Sequence, residues 1–326
     1  MDLRLGGRDE VGELTEVFGY FVGELRAKEE LRVTFGKYLD PRILERLILG
    51  PGVREFEGGR DVMTVSFGDL VGFTHLSELL SPPAMVRILN RHFGLQAEVI
   101  QGELGVVDKF LGDAVMAFWG PPFVLAGEHA ERGCRAALRQ VKVLEFFGEE
   151  LVELSGLKGR VPGLDLRVGL ATGEVVMGNI GSENTRSYTV IGDTVNLASR
   201  LEGLNRVYGT KILMNGVARR NAGEGFVTRE IDLIRVKGKE EAVEVYELVG
   251  EVGEVGEEQL KLYEVFAMGL AAYRAGEWGE AEGRFSECLR LDGEDGPSRT
   301  FLERLALLRD RPEGELWEGI WRFETK

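Results

Sequence analysis

The chain has 326 residues, 44% of them apolar, with a formal charge of −15, two cysteines and three histidines. That length supports a substantial core and more than one domain, at the usual ~100 to 200 residues each. The acidic balance speaks against a nucleic-acid partner, which needs a basic face, and neither a disulfide framework nor a zinc site is expected from Cys134, Cys288 and so few histidines.

Residues 10–31 place Val11, Leu14, Val17, Phe18, Phe21, Leu25 and Leu31 mostly three and four apart, with charged residues between them. This spacing predicts an amphipathic helix, either packed on a surface or forming a dimerising seam. No apolar stretch approaches the ~18 residues of a membrane span and no signal-peptide pattern opens the chain, so the polypeptide as given is read as soluble and cytoplasmic.

From about residue 60, strands and helices alternate. The patterns predict a strand at 61–68, a helix capped by Ser81 with Pro82 and Pro83 in its first turn and reaching about 101, a hairpin of 105–111 and 114–119, and a helix at 127–152. Strands follow at 165–172, 175–178 and 186–191, then a helix carrying Asn196 and Arg200, and closing strands near 229–236 and 242–248. The class is α+β with a mostly antiparallel sheet. Residues 251–256 hold only Gly, Val and Glu and read as a linker. Beyond them, Leu262, Phe266, Leu270, Tyr273, Trp278, Ala281, Phe285 and Leu289 trace two helical faces around Ala275-Gly276-Glu277, a helical hairpin that resembles one tetratricopeptide unit.

Three segments carry chemistry. Asp69 ends the apolar run Val65-Ser66-Phe67-Gly68, and Asp113 follows Phe110-Leu111-Gly112. A carboxylate placed so costs stability unless a cation meets it, and two of them suit a Mg²⁺ pair that also holds phosphate oxygens. In Tyr188-Thr189-Val190-Ile191-Gly192-Asp193-Thr194-Val195-Asn196-Leu197-Ala198-Ser199-Arg200-Leu201-Glu202, Asn196 and Arg200 stand four apart on one helix face. Taken singly, each aspartate also reads as a helix cap or turn former and the Asn/Arg pair as a solvated face.

Together, in this order and spacing, the three segments resemble the catalytic domain of class III nucleotidyl cyclases, the adenylate and guanylate cyclases, over about residues 60–249. The resemblance implies a ferredoxin-like βαββαβ-type core. It also implies Asp69, Asp113 and the Leu70 carbonyl as ligands of two Mg²⁺ or Mn²⁺ ions per site, Arg200 at the transition-state charge, Asn196 at the ribose, and Lys237 at the terminal phosphates. Lys109 and Thr189 occupy the positions that select the base. Lys and Thr there imply ATP, where guanylate cyclases carry Glu and Cys, but a hydroxyl both donates and accepts, so weaker exclusion of GTP is expected than from the Asp of many adenylate cyclases.

The same resemblance implies a homodimer with sites at the subunit interface, since one chain carries every role. Residues 7–14 look like the end of a HAMP signal relay, giving a relay helix at 1–34, a linker at 35–59 similar to that before many bacterial cyclase domains, and a helical extension at 257–326. On this reading the chain is the cytoplasmic portion of a receptor whose membrane sensor lies upstream. Two rivals stand beside it. A diguanylate cyclase would need a Gly-Gly-Asp/Glu-Glu-Phe hairpin tip, whereas Gly58-Gly59-Arg60-Asp61 precedes the first strand; a degenerate binding domain would have lost at least one of Asp69, Asp113, Asn196 or Arg200.

Overall fold

A computed structural model describes residues 18–24, 26, 40, 42–43, 58–157, 163–236, 241–309 and 317–323. Residues 1–57 and 58–326 are separate compact units. In the first, residues 18–24 are helical and expose Phe18, Tyr20 and Phe21. The HAMP-like residues 7–14 and the linker residues 35–39 lie outside the described residues.

The second unit is built on a sheet of nine strands: β1 (Gly59–Val71), β2 (Val106–Leu111), β3 (Ala114–Trp119), β4 (Asp165–Gly181), β5 (Arg186–Ile191), β6 (Ile212–Asn215), β7 (Phe226–Val236), β8 (Val243–Glu251) and β9 (Trp321–Phe323). Their order is β2-β3-β1-β4-β6-β8-β7-β9, with β5 paired to the far half of β4. All pairings are antiparallel except β4 with β6 and β7 with β9. The helices of this unit are α1 (Phe73–Leu79), α2 (Pro82–Gly102), α3 (His129–Ser155), α4 (Asp193–Tyr208), α5 (Gly216–Ala222), α6 (Glu257–Ala275), α7 (Trp278–Leu291) and α8 (Gly296–Arg309). The fold is the expected α+β architecture with a mostly antiparallel sheet.

Strand alternation sorts the two faces of the sheet. Leu70, Leu166, Val168 and Leu170 join Leu76, Ile88, Cys134, Ala137 and Leu144 of α1, α2 and α3 in one buried core. The residues between them face the other way, where α4 lies. Gly169 lets α4 approach closely, because a Cβ there would meet the Ala198 carbonyl and the Glu202 backbone. Gly173 does the same at the start of the helix, where a Cβ would lie 2.6 Å from the Thr194 hydroxyl. These contacts explain one departure from expectation. Residues 165–172 and 175–178 read as two strands, but β4 runs unbroken for 17 residues and uses Gly173, in the gap between them, for packing.

The C-terminal region also exceeds its reading. Gly276, with φ of 78°, turns α6 into α7 as expected, but a third helix, α8, completes the bundle around Phe266, Phe285 and Phe301, and β9 then extends the main sheet beside β7. The residues read as a linker are tied to the sheet, with the Val252 amide donating to the Gly225 carbonyl at 3.0 Å.

Candidate active site

The β1–β3 ladder stops at the Gly68–Val115 pair, whereas β1 continues beside β4 to Val71. The last residues of β1, Asp69 to Val71, therefore have a strand on one side only. The tight turn between β2 and β3 carries Asp113, and Gly112 there takes φ of 68°, a left-handed conformation that glycine adopts without strain. The two aspartates meet electrostatically. Burial and the Asp113 charge raise the pKa of Asp69, and Arg167, its partner across the β1–β4 ladder, offsets part of this. Glu202, two residues beyond Arg200 on α4, joins them: burial and then the Asp69 charge push its pKa up to about 7. Behind the turn, the buried His92 is held down to about 4 by burial, partly offset by the Asp113 backbone.

Such a cluster of half-buried carboxylates raises the cost of its own ionisation and is relieved by a divalent cation. The donors are hard oxygens, which suit Mg²⁺ or Mn²⁺. Among the described residues no group of three or more His, Cys, Asp and Glu forms a metal centre by itself. A pair of carboxylates whose remaining ligands come from phosphate and water fits that finding, because Mg²⁺ keeps waters and shares substrate oxygens. Leu70 turns its side chain into the core, so any ligand it supplies is its carbonyl.

The two residues expected to select the base, Lys109 and Thr189, also come together. Thr189 on β5 donates its hydroxyl proton to Asp108 Oδ2 at 2.8 Å, and the Lys109 ammonium stands 3.3 Å from the same oxygen. Tyr188, beside Thr189, packs edge-on against Phe123 in the loop after β3. Asp108 was not foreseen. Its role shows only once the fold brings Thr189 of β5 beside it.

Asn196 and Arg200 occupy α4 as the spacing requires, Asn196 exposed and Arg200 half-buried. Arg200 forms no ion pair among the described residues, and Arg167 is the cation whose charge acts on Asp69. Lys237 lies outside the described residues. Arg167 and Glu202 were also missed: Arg167 shows its relation to Asp69 only through the strand register, and Glu202 only through the close seat of α4 on Gly169.

The adenylate and guanylate cyclase catalytic-domain model matches residues 57–250. Adenylate cyclase 1 of Rhizobium meliloti is 34% identical over 230 residues, covering 71% of this chain and 34% of the relative. The adenylate cyclase of Anabaena cylindrica is 33% identical over 255 residues, covering 74% of this chain and 48% of the relative. The chain thus spans between a third and a half of these relatives. Among solved structures, the adenylyl cyclase CyaB from P. aeruginosa superposes with a TM-score of 0.54 at 30% identity, covering 61% of this chain and all of that one. The guanylyl cyclase Cya2 does so with 0.52 at 31%, covering 61% and 97%. The match over 57–250 holds every site residue described above, and the chain belongs to the adenylate and guanylate cyclase catalytic-domain family.

Proposed function

We propose that the chain is an adenylate cyclase, forming 3′,5′-cyclic AMP and pyrophosphate from ATP as a homodimer with sites shared between chains. The ribose 3′-oxygen forms a bond to the α-phosphorus, the bond to pyrophosphate breaks, and the hydroxyl proton passes to solvent; no covalent enzyme intermediate is needed. Mg²⁺ or Mn²⁺, two per site, supplies charge neutralisation of the triphosphate and acidification of the 3′-hydroxyl. Asp69, Asp113 and the Leu70 carbonyl hold the ions. Asn196 of the other chain orients the ribose, and its Arg200 meets the equatorial phosphoryl oxygens, for which a planar guanidinium is better shaped than an ammonium. Lys237 takes the terminal phosphates, and Lys109 with Thr189 takes the adenine edge.

The observation that carries this reading is the electrostatic pairing of Asp69 with Asp113 at the open end of β1. Relatives of both base specificities superpose about equally well, so the preference for ATP rests on Lys109 and Thr189. The N-terminal helix is a relay from an upstream sensor, and the C-terminal helices, resembling a tetratricopeptide unit, are a docked extension. The test is direct: purified protein is given ATP or GTP with Mn²⁺ and the cyclic products are measured. Absence of cyclic AMP would reject the proposal.

A further inference from the structure

Asp108 sits where the β2–β3 register shifts, between Val107 and Lys109. Such a bulge takes a residue out of the ladder and re-aims its side chain. The Asp108 carboxylate is 1% exposed, and burial raises its pKa while Thr189 and Lys109 pull it back. Oδ2 receives the Thr189 proton and faces the Lys109 ammonium; Oδ1, buried, has no hydrogen-bond partner among the described residues. A carboxylate accepts and does not donate. The one proton of the Thr189 hydroxyl is therefore committed, and only lone pairs remain to meet a ligand.

We propose that Asp108 is a positioning residue for base selection: by taking the proton of Thr189 it converts an ambiguous hydroxyl into a pure acceptor, so that the pocket presents one donor, Lys109, beside acceptors. That pattern matches the adenine edge, where N1 accepts and the exocyclic amine donates. It opposes guanine, whose O6 would face a lone pair and whose N1–H would face an ammonium. Selectivity is thereby stricter than a threonine alone implies. The inference rests on Lys109 and Thr189 being the purine contacts.

The test compares kcat/KM for ATP and GTP, with Mn²⁺, in wild type, Asp108→Ala, Thr189→Val and the double variant, with folding followed by circular dichroism. A mismatched buried hydrogen bond is worth about ten- to a hundredfold. Asp108→Ala should shift the ATP to GTP ratio toward GTP by about that range, mainly by lowering the ATP value. In the Thr189→Val background, where no hydroxyl remains to orient, Asp108→Ala should shift the ratio no further, whereas Thr189→Ser should retain the wild-type ratio. If Asp108→Ala does not fold, Asp108→Asn keeps the shape and, because an amide also offers a donor, relaxes the ratio in the same direction by less. A preference for ATP that is unchanged in whichever Asp108 variant folds, with both substrates slowed alike, would overturn this inference and leave the cyclase reading standing. A wild-type protein that cyclises ATP and GTP alike would overturn this inference alone, and one that forms no cyclic AMP would overturn both.

Discussion

Arg304 of α8 reaches Asp232 of β7 at 2.6 Å, with 4% and 1% of the two side chains exposed. The same guanidinium donates to Tyr208 at the end of α4 and lies over the Phe301 and Trp321 rings. Removing one member leaves a buried charge uncompensated, which costs about 3–5 kcal/mol. Arg304→Ala or Asp232→Ala should therefore lower the urea midpoint strongly, and a double variant with apolar replacements of similar volume should recover much of the loss. Additive losses in the double variant would show that the pair is not coupled.

Asp69→Ala and Asp113→Ala should each abolish cyclic AMP formation while leaving the fold intact. Because the Asp113 charge raises the pKa of Asp69, its removal relieves a repulsion. The thermal midpoint of Asp113→Ala in chelator should equal or exceed that of wild type. Near-normal turnover at saturating Mn²⁺ would remove these residues from the metal site.

Stability of the metal-free protein should depend on pH through Glu202. Its pKa rises from 4.5 in the unfolded chain to about 7, so between these values the folded state binds more protons. Stability is then fully present below the lower value and falls as pH rises toward the upper. Thermal melts across this window should show the decline, Glu202→Gln should flatten it, and added Mn²⁺ should restore midpoint at the upper end. A midpoint indifferent to both pH and metal would contradict the electrostatic description of the cluster.

Sharing of the site between chains predicts complementation. Asp69→Ala and Arg200→Ala homodimers should each be inactive. In a mixed dimer both lesions fall in one of the two sites, so activity should return to about half the wild-type rate per heterodimer. Subunit exchange confirmed by a tag, with no recovery, would withdraw the shared-site arrangement.

Changing the base-selecting pair gives a further test. Lys109→Glu with Thr189→Cys should lower cyclic AMP formation by about ten- to a hundredfold and admit GTP. An unchanged ratio of cyclic AMP to cyclic GMP would take both residues out of base recognition.

The long helices α2, α3 and α4, the α6–α7 hairpin and most strands were legible in the sequence because their signals are local, whereas α1, α5 and α8 were not read. Ser81 with Pro82 and Pro83 marks the start of α2, and the spacing of Asn196 and Arg200 defines a helical face. Failures occurred where a residue answers to something distant in the chain. Gly173 falls in the gap between the two strands read there, its packing role visible only with Thr194 against it, and β6 is only four residues long, too short for alternation to be informative. At the site, Asp69 and Asp113 could be found from motif alone. Asp108 could not, since its meaning comes from a threonine 81 positions later.

Helix α4 is fastened along its whole length. Thr194 donates to the Glu174 carbonyl at 2.8 Å at one end, Gly169 admits the middle, and Tyr208 donates to Asp232 at 2.6 Å at the other. A helix so anchored does not swing or bend to bring Asn196 and Arg200 toward a substrate. If two chains share the site as proposed, each half is a stiff jaw, and the quantity left to adjust the rate would be the angle between the chains.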